Sequence, residues 1–151
     1  MHRIPPTRRG VTAVLAMIFL VLFASLALGV YVASTTNAIV STNEKNGTIS
    51  LTAAESGMDF IRYQLSLIKI PPTTPVDQTF SYVADHLQDV LEGSGNLGSN
   101  SVAMTSSSVT IPANPNAFIK VDNNGAEFRA TLEKLGNNIR VKTTGRYINA
   151  S

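Results

Sequence analysis

The stretch "PPTRRGVTAVLAMIFLVLFASLALGVYVAS", residues 5–34, sets two arginines and a glycine directly against twenty-three almost wholly apolar residues. From Val11 to Ala33 only Thr12 and Ser25 are clearly polar, and no charged residue occurs between Arg9 and Glu44. A helix over 11–33 would be roughly 35 Å long, enough to cross a hydrocarbon layer of about 30 Å. All faces of this segment are apolar over more than six turns, which disfavours a core helix in a chain of this size. A secretory signal has an apolar run of about 7–15 residues closed by a small-residue cleavage site. Here the run is longer, and the best such site, after Ala38, lies well past its end. The reading is a membrane-spanning segment. Arg3, Arg8 and Arg9 precede it and no base follows before Lys45. That bias puts the N-terminus in the cytoplasm and the body on the exported side.

With residues 1–40 given to the membrane, about 110 of the 151 remain, enough for one modest core. The absence of cysteine excludes disulfides, thiolate metal sites and a cysteine nucleophile. Three of the twelve Lys and Arg lie in the first ten residues; the other nine stand against ten Asp and Glu, a net charge of −1. A nucleic-acid interface needs clustered cations, so the basic pI belongs to the leader and no nucleic-acid partner is expected.

Beyond the membrane, "STTNAIVSTNEKNGT" (34–48) consists of weak helix formers, and Gly47 is the expected place for a kink. "ISLTAAESGMDFIRYQLSLIKI" then recovers helical spacing, with Ala54, Met58, Ile61, Leu65 and Ile68 on one stripe. Pro71 and Pro72 end it. Glu55, Asp59 and Arg62 on this helix read as a solvated charged face. "PPTTPVDQTF" is a linker. "TFSYVADHLQDVLEG" reads as a short helix with Phe80, Val83, Leu87, Val90 and Leu91 on one side, Thr79 capping its start and Gly93 its end. His86 with Asp85 and Asp89 does not make a metal site, because the three do not share a face. "GSGNLGSNSVAMTSSS" reads as a mobile loop with no phosphate cradle and no base for its serines. "VTI", "AFIKVD", "EFRATLEKL" and "IRVKTTGRYI" read as strands of an antiparallel meander, joined by turns at "PANPN", "NNG" and "GNN". Phe128, Ala130 and Leu132 alternate with Arg129, Thr131 and Glu133, and Ile139, Val141 and Thr143 with Arg140 and Lys142, so one face is buried. The chain stops at "GRYINAS" with a strand under way, so the last strand is either short or followed by one this sequence does not contain.

The expected fold is therefore α+β: a long N-terminal helix on a small antiparallel sheet, with one short extra helix. The parts are a basic leader (1–10), the long helix (11–70, of which 11–33 is transmembrane), a linker (71–78), the short helix (79–92), a loop (93–108) and the sheet (109–151).

"RRG" before an uninterrupted apolar helix resembles the leader of type IV pilins and pseudopilins, and "LTAAESGMDFIRYQL" resembles the late helix segment of PilX-type minor pilins. The likeness covers residues 8–68. It implies cleavage by a prepilin peptidase between Gly10 and Val11, with Arg8 and Arg9 as the basic end of the leader. It also implies a pilin-like stem and assembly with other pilin or pseudopilin subunits through Leu15, Ile18, Leu22 and their apolar neighbours. Major pilins of the family carry Glu five residues after the cut; this chain has Leu15 there. That departure points to a minor or initiating subunit.

The expected function is a structural subunit of a bacterial envelope filament or type II secretion-like assembly, held in the inner membrane with its body in the periplasm. No cofactor, metal or catalytic residue is expected. The alternative is a single-pass extracytoplasmic binding protein that keeps its leader.

Overall fold

The computed structural model describes residues 9–148, which fall into two compact units divided after Glu44. Helix α1, Arg9–Leu67, is followed by α2, Thr79–Leu91, and five strands: β1 Ala103–Met104, β2 Ser108–Ile111, β3 Ile119–Lys120, β4 Ala126–Leu135 and β5 Asn138–Tyr147. The fold is α+β, as the sequence pattern implies.

Residues 34–48 are helical throughout, and Gly47 does not interrupt α1. The hydroxyls that would compete with the helix are turned onto it. Thr35 donates to the Tyr31 carbonyl at 3.1 Å and the Val32 carbonyl at 3.0 Å, and Thr42 to Ala38 at 2.9 Å. Such back-bonding satisfies the side chain without freeing the backbone. One glycine costs about 1 kcal/mol relative to alanine, too little to break a helix that continues on both sides. The helix ends at Leu67, ahead of Pro71 and Pro72.

Within the second unit, the end of α1 and the whole of α2 cover one face of the sheet. The core gathers Ile61 from α1, Phe80, Val83, Ala84, Leu87 and Leu91 from α2, and Val109, Ile111, Ile119, Phe128, Ala130 and Leu132 from the strands. On α1 the deepest line is Ala53, Gly57 and Ile61, with Ala54 and Met58 only half-buried. The first half of the expected stripe is thus rotated toward the glycine, whereas Ile61, Leu65 and Ile68 pack on the core as expected. A Cβ on Gly57 would run into the Phe128 ring and stand 3.0 Å from the Phe128 Cβ. A second close approach lies at Gly145 of β5. A Cβ there would collide with the Ser50 carbonyl oxygen and come within 2.7 Å of the Ala54 nitrogen. On α2, Ala84 is buried and Val90 is exposed. At about 100° per residue Val90 sits about 80° from Phe80, off the buried arc. Gln78 rather than Thr79 is the N-cap, and the Thr79 hydroxyl bonds the Pro75 carbonyl at 3.3 Å. Gly93 follows the C-cap at φ 74°, the left-handed conformation expected of a helix-ending glycine.

The sheet is a meander with a broken second strand. β2 pairs antiparallel with β4 over Ala130–Glu133, and β3 pairs with the same edge of β4 over Glu127–Phe128. Both run in one direction, so "PANPN" is an excursion between two collinear pieces and not the turn expected there. It is pinned by the Ala113 amide on Ser101, the Asn116 amide on Asn114 Oδ1, and the Arg129 guanidinium on the Pro115 carbonyl at 2.6 Å. β1 pairs with the outer side of β2, and β5 pairs along the full length of β4. The β4–β5 hairpin turns through Gly136 and Asn137, and the positive φ of Gly136 alone (59°) is the type II′ pattern. At "NNG", Asp122 Oδ1 accepts the amides of Asn124 and Ala126. The segment expected to be a mobile loop instead contributes Leu97 and Val102 to the core and carries β1. Glu92 ties it to α2 by accepting the Val102 amide at 2.8 Å.

In an unconstrained helix Gly57→Ala would stabilise by about 1 kcal/mol. Here it is expected to destabilise by about 1–3 kcal/mol through overpacking against Phe128, read by urea unfolding of the full chain in detergent. Gly145→Val is expected to cost more, because the obstructing atoms are backbone.

Candidate functional site

Among the described residues no three His, Asp or Glu side chains gather as a metal site. His86 is half-buried on α2, with Asp85 and Asp89 exposed beside it. Asp59 and Arg62 form a 3.7 Å ion pair in solvent, a contact worth about 0–1 kcal/mol. The features that stand out are surfaces.

The first is the opening half of α1. It is the described helix long and apolar enough to cross a membrane, and the apolar window is wholly unburied. Val11, Leu15, Ile18 and Leu22 recur at steps of 4, 3 and 4 and share one face; their exposures are 72%, 54%, 53% and 59%. Phe19 and Phe23 stack on each other at 6.5 Å between centroids. So much uncovered apolar surface requires lipid or other helices around it. Gly10 lies inside the first turn of α1 rather than ahead of it, with open space where a Cβ would stand. Arg8 lies outside the described residues, and Arg9 is the first residue of α1.

The second surface was hidden in the net charge. The registers Glu127↔Arg146, Arg129↔Thr144, Thr131↔Lys142 and Glu133↔Arg140 put these side chains on the sheet face away from the helices. Lys120, paired with Glu127 across β3–β4, joins them. The strands thus collect five cations and two carboxylates on one face. Glu127, only 8% exposed, takes Arg146 in two contacts, from Nε at 2.9 Å and Nη2 at 2.8 Å. The Arg146 guanidinium lies 3.8 Å from the Phe118 ring centroid, and Arg129 lies 5.9 Å from it. Glu133 accepts from Lys142 Nζ at 2.7 Å. The alternation of Arg140 and Lys142 was legible as period two; Arg146 and the concentration of charge were not, because acids elsewhere cancel it.

Comparison with protein-family models, with curated proteins and with solved structures finds no match to this chain.

Two expected outcomes follow from these surfaces. Leu22→Arg adds about 2.5–3.5 kcal/mol to insertion of the helix, so a larger fraction is released from membranes by alkaline carbonate. Arg146→Lys keeps the charge but loses the planar stack on Phe118 and the two-point contact with Glu127. It is expected to cost about 1–2 kcal/mol by urea unfolding.

Proposed function

We propose that the chain is a minor pilin-like or pseudopilin-like structural subunit of a bacterial envelope filament or type II secretion-like assembly. The observation that carries this reading is a single helix in two chemistries. Its opening half exposes uncharged apolar residues on all sides, and its closing half is locked into a small α+β body. A prepilin peptidase would cut between Gly10 and Val11, leaving Val11 as the new N-terminus of the apolar helix.

In this reading the subunit waits in the inner membrane, N-terminus inward and body in the periplasm, until other pilin or pseudopilin subunits draw it in. Leaving lipid is tolerable for such a helix because equivalent helices bury it, and its backbone is already satisfied internally. Val11, Leu15, Ile18 and Leu22 supply that packing. The mechanism is association, not bond chemistry. Leu15 supplies no carboxylate to pair with a neighbour's amine, which fits a minor or initiating role.

Intact mass and N-terminal sequencing of protein taken from its native membrane test the proposal. A start at Val11, bearing an N-methyl group, is expected, and Gly10→Val is expected to leave full-length precursor. A start at Met1 in the wild type would overturn the processed-subunit reading in favour of a single-pass binding protein.

A further inference from the structure

We infer that the body associates head to tail with a second copy of this chain, the cationic sheet face of one copy docking on the acidic outer side of the helical layer of the next. The inference deepens the assembly-subunit reading and rests on it for the membrane setting.

The charge of the body is separated by layer. Residues 45–92, which form the helical layer and its linker, carry six acids against three bases, whereas residues 103–148 carry six bases against three acids. The two halves are therefore opposite and equal, −3 and +3. In α2 the apolar arc faces the core, and Asp85 and Asp89 are exposed on the other side. That helix contains no Lys or Arg, and among the described residues neither aspartate has an ion-pair partner. On the far side of the body, Glu133 stands opposite Arg140 and bonds Lys142, one carboxylate for two cations. Arg140 and Lys142 are exposed.

The core lies between these two surfaces, so one copy cannot bring them together. Two copies can, and the spacings agree. Asp85 and Asp89 are one helical turn apart, about 6 Å along the axis, and Arg140 and Lys142 are two strand residues apart, about 6.8 Å. A contact between different patches is heterologous, and repeated it yields an open chain of copies. A polyanion would engage the cationic face alone, whereas a second copy satisfies the acidic and the cationic faces together.

The test uses the full chain in membranes. Ser81 and Thr144 are exposed neutral positions, one turn from Asp85 and two residues from Lys142. The chain has no cysteine of its own. A Ser81→Cys/Thr144→Cys chain treated with a short bismaleimide is expected to give a ladder of dimers, trimers and higher species. Each single-cysteine chain is expected to stay monomeric, and a mixture of the two to stop at dimers. Arg140→Glu/Lys142→Glu is expected to reduce the ladder about fivefold or more. Adding Asp85→Lys/Asp89→Lys to that chain is expected to restore it. Salt of about 1 M, where the screening length is about 3 Å, is expected to abolish it.

Absence of the ladder, a ladder indifferent to charge reversal, equal cross-linking of the single-cysteine chains, or failure of the full charge swap to restore it would each overturn the inference. So would saturable binding of heparin that abolishes with Arg140→Glu/Lys142→Glu while no ladder forms. The ladder is read in parallel on Gly10→Val. Because the contact belongs to the body, the ladder is expected there too. Loss of leader cleavage and loss of this contact are thereby scored separately.

Discussion

Helix α1 reaches the sheet only because two side chains are missing. Gly145 lets β5 come up against the backbone at Ser50 and Ala54, and Gly57 makes room for the Phe128 ring. A protein interior is packed too densely to absorb an added carbon at such points. The close approach sets the rotation of α1, so that Ala53, Gly57 and Ile61 face inward and Phe60 packs on Phe128 at 5.9 Å between centroids. The helix rotation in turn decides which of its residues complete the core with α2.

The same constraint separates the two faces of the sheet. With the helical layer seated on Phe128, Ala130 and Leu132, every second residue of β4 and β5 must face away, and those residues are almost all polar. Ion pairing there is uneven: Glu127 is largely buried and pairs with Arg146, which lies over Phe118, while Glu133 serves a more open pair with Lys142. Arg146 is held by charge, by planar donors and by an aromatic face at once, the combination for which arginine is suited. What remains is an excess of cations on one side and of acids on the other, a polarity that composition averages away.

The unit ahead of Lys45 has no such internal economy. Its helix satisfies its own backbone and leaves its apolar side chains to whatever surrounds it. That is the physical content of the assembly proposal: a helix stable alone in lipid, and equally stable among similar helices, moves between them at little cost in hydrogen bonds.

Much of this was determined by the sequence itself. An apolar run without charge, bounded by Arg9 and Glu44, needs no tertiary structure to be recognised, because its length and composition alone match a bilayer. Alternation in β4 and β5 and the turns at Gly125 and Gly136 were equally local signals. Tertiary structure decided what depended on partners far along the chain. Gly47 read as a kink but stays helical, since one weak residue cannot outweigh the helix on either side. "PANPN" read as a reversal but is an excursion, because β4 offers one long edge to which both β2 and β3 bond. Leu97 and Val102 lay in a loop-like composition yet are buried, since the core between α2 and β2 needed filling. The roles of Gly57 and Gly145, and the cationic face, exist only when residues distant in sequence are brought side by side, and a linear pattern carries no distance between them.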